Sequence, residues 1–466
     1  FLCLLRKHNP TCGKNKKEER FILMKKFLSV ALAFLMLAVM LPVTALAAND
    51  YVIVSGINGF ENRQFASFKE AYNEINQKLM DLCDSDAMGE GATTAEKFDA
   101  LFTDRDENGN ATLTYTISGN ITYDESTLNN LLTFGREASH YGNDRHLINF
   151  KFVGATGRDS DTLTVNSKIT LPYEWWGEKT TTSISFENLT ITGPAPSGLY
   201  PTQAYFDGIN FKVDNCKLEG IKIYNCSNVG GSYTITNNIF DGTNAPQNAY
   251  AIHLQGNETA PLTINISNNT ISGYDRGINI DQKTAAATIS NNNISVKDTG
   301  RSCIQLTRLA STKVENNTMK LTGGNAITLH KELLNCAKPA ITVSGNTING
   351  TGYLIYDDSN GAFTDDNLTL TITKDNTVAK TVDTTQGVKD REIHPLSEIV
   401  KTKVENNVVP GGSTGGTIVI VPDRTEDTPK TEPEKNPTTG ANDMVAAAVA
   451  LMAVSALGMA VLSRKK

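Results

Sequence analysis

The sequence predicts an all-β chain built mainly as a right-handed parallel β-helix, a solenoid with a short N-terminal helical cap and a C-terminal transmembrane helix. Three observations lead to this fold class. An octet pattern recurs through the centre of the chain, a second strand-like pattern follows each octet, and the two ends carry export and anchoring segments. Repeats with a period of roughly 20–50 residues are typical of solenoids and related arrays.

The N-terminal part carries the features of a secretory signal peptide. Met-Lys-Lys at 24–26 precedes an apolar run at 27–41, and Ala-Leu-Ala follows at 45–47. A positive start, a short apolar run and a small-residue cleavage site define such a peptide. We therefore predict a signal peptide at 24–47, with a membrane-spanning anchor as the alternative. Residues 1–23 precede this segment and are interpreted as an upstream artefact outside the fold.

A helical cap is predicted between the signal peptide and the repeats, within residues 48–115. Ser67-Phe-Lys-Glu70 has the pattern of a capping box, which opens a helix. An apolar stripe at helical spacing follows, formed by Phe68, Ala71, Tyr72, Ile75 and Leu79. Because the open end of a solenoid exposes apolar surface, we expect this stripe to pack on the first coil.

Seven octets share an apolar first position and an apolar sixth position, and all but the last have Asn third. They begin at Phe186, Val213, Ile235, Ile266, Ile289, Val314 and Val343, at spacings of 27, 22, 31, 23, 25 and 29 residues. A weaker copy at 404–409 closes the series. One coil of a parallel β-helix fits these units, whereas helical repeats, leucine-rich repeats and propeller blades do not. Strand crossovers favour a right-handed coil.

The Asn residues at the third octet position are predicted to form a ladder. Successive coils stack about 4.8 Å apart, so equivalent side chains align. Buried amides satisfy each other in such ladders. The predicted members are Asn188, Asn215, Asn237, Asn268, Asn291 and Asn316.

A second column of strands is predicted after the octets. Alternation places its second and fourth positions inside and its third and fifth positions outside. The predicted strands are 220–224, 251–255, 277–281, 303–307, 326–330 and 353–357. Their fifth positions form an outward row of Tyr224, Gln255, Asp281, Thr307, His330 and Asp357.

The combination of helical cap, coil length and Asn-bearing octets resembles the pectate-lyase-like right-handed β-helix superfamily. The resemblance covers residues 48–410 and implies a fold, but that superfamily contains enzymes, adhesins and structural spikes. The resemblance alone therefore does not imply one function.

The C-terminal end resembles a cell-wall sorting signal. A linker at 411–435, rich in Gly, Thr, Pro, Glu and Lys, precedes Asn-Pro-Thr-Thr-Gly at 436–440. An apolar segment at 444–462 and a basic tail complete the signal at 436–466. The resemblance implies that a sortase cleaves between Thr439 and Gly440 and attaches the protein to peptidoglycan. We therefore expect an exported protein on the cell wall of a Gram-positive-type bacterium.

Charge and cysteine content limit the partners. The expected mature region contains 32 Lys+Arg and 47 Asp+Glu, a net charge near −15. Phosphate backbones repel such a surface, so nucleic acid is not an expected partner. Five cysteines remain, and their spacing fits no metal motif. Cys216 and Cys226 could form a disulfide or be buried apolar groups.

Lyase chemistry requires a basic residue and acidic groups that hold Ca²⁺ against a uronate carboxylate. Asp275, Arg276 and Asp281, with Arg301 and Arg308 one coil later, could supply such a set. The alternative is that Asp275 and Arg276 form a solvated turn. No metal site is predicted otherwise, and no cofactor is expected except Ca²⁺ for a lyase.

Glycoside hydrolysis requires two or more carboxylates around the scissile bond. The adjacent pair Asp357 and Asp358 resembles the aspartate pair of polygalacturonases, but the Gly-His-Gly and Arg-Ile-Lys segments expected downstream are missing. His330 could act as a general base beside Asp357, although a lone surface histidine is the alternative.

Recognition of a glycan is the preferred hypothesis. Trp175 and Trp176 could stack on sugar rings or pack over the first coils. The outward row from Gln255 to Asp357 could bind a polymer that lies along the helix axis. The alternative is that the row is a solvated sheet face. The leading hypothesis is a non-catalytic surface protein that binds polysaccharide or a host ligand. The alternatives are a wall-anchored lyase or hydrolase, favoured by three or more charged residues converging in a groove, and a passive spacer.

Overall fold

The structure is a computed structural model that describes residues 50–61, 63–84, 100–123, 148–166, 168–170, 181–193, 198–200, 209–226, 231–256, 261–297, 301–408 and 411. All of these described residues belong to one compact unit. No helix among the described residues is long and apolar enough to cross a membrane. The predicted signal peptide, linker and span at 444–462 lie outside this part of the chain.

The N-terminal cap begins with strand β1 (Tyr51–Ser55), which pairs antiparallel with β2 (Gln64–Phe65). Helix α1 (Phe68–Asp84) follows. The predicted capping box is confirmed, since the Glu70 N–H donates to Ser67 Oγ at 3.1 Å. The Glu70 carboxylate accepts from the Ala66 N–H at 2.7 Å.

The apolar stripe of α1 covers the first coil, as predicted. Phe68, Ala71 and Ile75 are buried, and the Phe68 ring lies 5.5 Å from the Tyr115 ring and 6.0 Å from that of Phe152. The side chains of Tyr72 and Leu79 lie outside the described ones. Closing the open end buries apolar surface and stabilises the first coil.

Three columns of parallel strands form the coils. The first column is β3 (Ala111–Ser118), β5 (Ile148–Gly154), β8 (Thr181–Glu187), β11 (Ile209–Asp214), β14 (Gly231–Thr236), β17 (Leu262–Ser267), β20 (Ala285–Ser290), β23 (Ser311–Glu315), β25 (Ala340–Ser344) and β27 (Thr369–Ile372). The cap strand β1 pairs antiparallel with β3.

The second column follows the first within each coil. It contains β4 (Asn120–Tyr123), β6 (Thr162–Val165), β9 (Thr190–Thr192), β12 (Lys217–Glu219), β15 (Ile239–Asp241), β18 (Thr270–Tyr274), β21 (Asn293–Val296), β24 (Thr318–Leu329), β26 (Thr347–Asp357) and β28 (Thr377–Val378).

The third column carries the candidate site. It contains β7 (Lys168–Thr170), β10 (Gly198–Tyr200), β13 (Lys222–Cys226), β16 (Tyr250–Gln255), β19 (Arg276–Asp281), β22 (Ser302–Arg308), the second halves of β24 and β26, and β29 (Val382–Asp383). Since β24 and β26 continue through the corner, the second and third columns join into one sheet.

The octets fold as predicted at their apolar positions. All seven first positions and all seven sixth positions are buried. Near the N-terminal end the core is aromatic, with the Phe152 ring 5.2 Å from the Tyr115 ring and 5.0 Å from that of Phe186. The second residue of each octet follows the first apolar one in the same strand, and it faces outward, as the alternation of a strand requires.

The Asn ladder lies one residue later than predicted. The third-position residues have φ near +55°, for example +59° at Asn268 and +56° at Asn291. This left-handed conformation suits Asn and turns the chain between two columns. The following residue then points inward. The buried ladder is formed by Asn238, Asn269, Asn292, Asn317, Asn346 and Asn376.

Each ladder amide bonds to the next coil in the same way. Oδ1 of Asn317, for example, accepts from the N–H of Asn292 at 3.0 Å and from its Nδ2 at 2.9 Å. Asn292 Nδ2 also donates to the Ile266 carbonyl at 2.9 Å. Buried backbone and side-chain groups thus satisfy one another along the axis.

The C-terminal end differs from the prediction. The octet copy at 404–409 is not a coil, because helix α2 (Glu398–Asn407) occupies that position and buries Val400 and Val404. The last coil instead uses β27, whose Ile372 pairs with Val343. One inserted residue before Asn376 hides this copy from the octet pattern.

The outward row also differs from its predicted register at three places. Tyr224 pairs with His253 rather than Gln255. A bulge pairs Asp281 with Arg308 rather than Thr307. In the last coils Ile327 pairs with Ile355 and Leu329 with Asp357, so His330 is level with Asp358. The alignment of 251–255 with 277–281 is confirmed.

Cys216 is a free, buried thiol. Its Sγ lies 3.4 Å from the carbonyl oxygens of Phe186 and Asp214, and burial raises its pKa to about 12. Cys216 therefore follows the buried alternative, while the side chain of Cys226 lies outside the described ones.

Candidate functional site

A pocket of about 180 Å³ lies on the outer face of the third column. Two outward rows of the sheet form its floor. Ser302 pairs with Asn325, and Gln305 pairs with Thr328, which pairs with Tyr356. Because these positions alternate with buried core residues, their side chains point away from the coil.

The N-terminal end of the pocket is bounded by Tyr250 and Arg276. The two residues are paired in β16 and β19. Arg276 Nη1 donates to the Tyr250 hydroxyl at 3.0 Å, and its guanidinium lies 4.9 Å from the Tyr250 ring centroid. The same hydroxyl lies 3.2 Å from Gln305 Oε1, two coils from its own backbone. Stacking and hydrogen bonds hold the guanidinium at this edge.

A β-hairpin bounds the C-terminal end. It consists of β30 (Gln386–Lys389) and β31 (Glu392–Pro395). Val388 is fixed to the floor, since its N–H donates to Asn325 Oδ1 at 2.9 Å and its carbonyl accepts from Asn325 Nδ2 at 2.7 Å. The buried Asn325 amide thus replaces a strand partner, and the hairpin crosses over the sheet.

The hairpin brings charged side chains to the pocket. Lys389 Nζ lies 2.7 Å from Asp358 Oδ1. At the tip, Asp390 lies 2.8 Å from Arg301 Nη1. Gly387 lies against Tyr356, where a Cβ would come within 2.7 Å of the Tyr356 Cα. Only glycine allows this approach, so the hairpin position depends on that residue.

Among the described residues, Asp358 is the one carboxylate that lines the pocket, and three side chains lie close to it. Besides Lys389, the Tyr356 hydroxyl donates to Oδ1 at 3.0 Å, and His330 Nε2 lies 3.4 Å from Oδ2. Burial and the nearby Asp358 carboxylate raise the pKa of Tyr356. Burial lowers the pKa of His330 despite the opposing effect of Asp358.

Nδ1 of His330 is hydrogen bonded, while Nε2 faces Asp358 Oδ2 without a hydrogen bond between them. Nδ1 accepts from the Glu332 N–H at 3.3 Å, because His330 caps the 3-10 helix Lys331–Asn335. In the neutral ring the proton then lies on Nε2, which faces Asp358. This arrangement leaves no free lone pair for proton abstraction, so the predicted general base is disfavoured by the geometry.

Other members of the predicted outward row do not line the pocket. Gln255 Oε1 accepts from the Tyr224 hydroxyl at 3.2 Å. Asp281 forms an ion pair with Arg308. Thr307 is buried and donates to Asn279 Oδ1 at 2.8 Å. Of the predicted row, only His330 lies in this pocket.

The adjacent acidic residues face different surroundings. Asp357 is buried away from the pocket and accepts from the N–H groups of Ser359 at 2.8 Å and Ser397 at 3.3 Å. Asp275 is also buried rather than solvated, since it accepts from the Asn248 N–H and lies 3.7 Å from Lys297 Nζ. Neither carboxylate converges with Asp358, so the structure does not gather the pair that hydrolysis requires.

Several predicted functional residues lie outside the described part of the chain. These are Trp175, Trp176, Thr439 and Gly440. Among the described residues, no group of three or more His, Cys, Asp or Glu is arranged to hold a metal ion.

Sequence reasoning missed most of the pocket. The residues that it did not single out are Tyr250, Ser302, Gln305, Asn325, Thr328, Tyr356, Val388 and Lys389. Asp390-Arg391, both with positive φ, marks a two-residue hairpin turn. Its flanking segments lack strong strand patterning, so the sequence signal was weak.

A second, more open pocket of about 510 Å³ lies on the first column near the N-terminal end. Asp106 forms its wall and accepts hydrogen bonds from Asn110 and Asn149. Ser183 donates to Asn149 Oδ1 at 2.6 Å. These polar groups largely satisfy one another, so this pocket offers less to a ligand than the first.

The comparisons with known proteins agree with the fold. Residues 219–384 match the family model described as "Right handed beta helix region". No curated protein and no solved structure matches the chain. The matched region covers the coils that form the pocket, from β12 to β29. Together with the parallel sheets, the match establishes that this chain contains a right-handed β-helix region.

Proposed function

We propose that this protein binds an acidic carbohydrate in the pocket between Arg276 and the hairpin. The main support is that three cationic side chains, Arg276, Arg301 and Lys389, line this pocket, although the overall charge of the chain is negative. In the described part of the chain one carboxylate lines the same pocket, and Asp390 pairs with Arg301 at the rim. The local charge therefore favours an anionic ligand.

The remaining lining fits a sugar. Tyr250 presents a partly exposed aromatic ring, which suits the apolar face of a sugar ring. Gln305, which is only partly buried, offers an amide group that can exchange hydrogen bonds with sugar hydroxyls. Guanidinium groups can bind a carboxylate through two parallel hydrogen bonds.

A lyase is the second candidate, because several ionisable side chains converge in the pocket. An elimination would require a group that accepts a proton from the sugar ring. His330 Nδ1 accepts a hydrogen bond, so the neutral ring carries its proton on Nε2, and the raised pKa of Tyr356 opposes formation of a phenolate. Lys389 is paired with Asp358. These contacts favour binding over catalysis.

The surface display belongs to the same proposal. The predicted signal peptide, linker and sorting signal support export, transfer by a sortase and attachment to peptidoglycan. The β-helix would then stand on the outside of the wall of a Gram-positive-type bacterium. Its acidic surface argues against nucleic acid as the ligand.

An array of neutral, uronate-bearing and sulfated glycans tests this function. We expect binding to acidic members that persists in EDTA and weakens with salt, because guanidinium–carboxylate contacts are screened. Products of each bound glycan are then analysed with and without Ca²⁺. Unsaturated oligosaccharides would establish the lyase instead, and binding limited to neutral glycans would contradict an acidic ligand.

A further inference from the structure

We propose that the pocket binds the end of a glycan chain, and that the acidic sugar it recognises is the terminal unit of that chain. This inference rests on the proposed function and adds where in the glycan chain the recognised sugar lies. It follows from the groups at the two ends of the pocket along the helix axis, Tyr250 and the hairpin. A polymer that passes along the helix axis needs both ends open, whereas a terminal unit needs only one entrance.

The N-terminal end is blocked by Tyr250. Its side chain extends over the coil that contains Arg276, and its hydroxyl reaches Gln305 two coils away. Two coils correspond to about 10 Å along the axis at strand spacing. Hydrogen bonds to Arg276 and Gln305 hold the Tyr250 side chain in this position, where it blocks a polymer that runs along the helix axis.

The C-terminal end is blocked by the hairpin. Its strand β30 lies over the floor at Asn325, with two hydrogen bonds to Val388, and Lys389 is tied to Asp358. The tip reaches Arg301, which belongs to an earlier coil. The hairpin thus covers the floor of three coils, and a polymer along the axis would collide with it.

The size of the pocket agrees with one small unit. It encloses about 180 Å³, below the roughly 300–1,000 Å³ of sites that enclose drug-sized ligands. All three cations line this short space. A single carboxylate-bearing sugar is therefore the chemical unit that the arrangement fits.

The shared chemistry of such a terminal sugar is one carboxylate on a polyhydroxylated ring. Uronic acids and sialic acids both supply it. The probes are oligosaccharides of equal length whose sugars are neutral except for one glucuronic acid. This acid is placed at the non-reducing end, at an internal position or at the reducing end. A further probe carries a terminal sialic acid. Binding of each to the full folded protein is measured by calorimetry, at equal salt.

We expect at least a tenfold higher affinity for one terminal placement than for the internal placement. The comparison between terminal glucuronic and sialic acid identifies which of the two sources fits. Tyr250→Ala, which opens one end, should reduce the ratio of affinities for terminal and internal units. Tyr224→Ala, one coil earlier and outside the pocket, should preserve that ratio.

Equal affinity for internal and terminal uronate would overturn end recognition while the proposed function would stand. Failure of all acidic probes to bind, with correct folding by circular dichroism, would overturn the proposed function and this inference together. Tyr250→Ala binding internal units as weakly as the wild type would show that Tyr250 does not block the pocket.

Discussion

His330 and Asp358 face each other from neighbouring coils, with His330 Nε2 3.4 Å from Asp358 Oδ2. The sequence pattern instead placed His330 beside Asp357. Because Leu329 pairs with Asp357, the true register is shifted by one residue. A shift of one residue in a strand turns each side chain to the other face. Asp358 therefore faces the pocket, while Asp357 is buried at the end of its strand.

The first prediction separates the two roles of adjacent Asn residues. Asn292→Gly should remove a ladder amide, and with it the acceptor of the Asn269 N–H and the side-chain donor to the Ile266 carbonyl. Each unsatisfied buried group costs roughly 1–3 kcal/mol. Asn291→Gly should change the free energy of unfolding much less, because glycine readily adopts its left-handed φ of +56°. Chemical denaturation of both variants measures the difference.

Equal destabilisation by these two substitutions would contradict the assignment of the ladder to the second Asn. The octet pattern shows that two neighbouring Asn residues recur, but it does not show which one turns the chain. That distinction depends on backbone φ, since the residue after a left-handed turn points inward. The sequence therefore predicted the coils and their apolar rows, but not the phase of the polar ladder.

The second prediction concerns stability and pH. His253 lies between the rings of Tyr224 and Tyr250, at 5.0 and 4.7 Å, and burial lowers its pKa to about 4. The unfolded chain, with a histidine pKa near 6.5, binds more protons below that pH. The free energy of unfolding should therefore fall by about 2 kcal/mol from pH 7 to pH 5 through this residue.

His253→Phe provides the comparison, because it preserves an aromatic ring and removes the titrating group. Chemical denaturation at pH 7 and pH 5 should show a smaller loss of stability in this variant than in the wild type. His330 remains in both proteins, so its effect cancels. The same loss in both proteins would contradict a buried neutral His253.

The third prediction concerns the hairpin. Gly387→Ala places a Cβ within 2.8 Å of Tyr356 atoms, so the hairpin must move and withdraw Lys389 from Asp358. We expect binding of an acidic oligosaccharide to weaken about tenfold, or by about 1.4 kcal/mol. The matched control is Ile393→Ala, which changes an exposed side chain on the other strand. Unchanged binding by Gly387→Ala would contradict a role for the hairpin in the site.

The fourth prediction concerns anchoring. Since Thr439 is expected to supply the carbonyl that the sortase attacks, Thr439→Ala should leave the protein unattached to the wall. Purified peptidoglycan is digested, and the protein that remains covalently linked to its fragments is measured by immunoblot. A variant that stays linked at the wild-type level would contradict the sorting assignment. Thr438→Ala, one residue earlier, serves as the control for the cleavage position.

The fold was far easier to predict than the site. Apolar first and sixth positions recur in every octet, because each coil must bury the same side chains. The pocket has no such repetition. Tyr250 reaches across two coils, and Lys389 arrives on a hairpin from beyond the last coil. Both positions depend on side-chain direction and on a crossing segment, which a repeat pattern does not encode.

Calorimetric titration of the folded protein with a uronate-bearing oligosaccharide tests the central claim most directly. Arg276→Gln should weaken binding at least tenfold, because it removes a guanidinium held in the pocket by Tyr250. Lys212→Gln removes one positive charge on a different sheet and should leave the affinity within twofold. If Arg276→Gln and Lys212→Gln bind the oligosaccharide as tightly as the wild type, the pocket is not the acidic carbohydrate site.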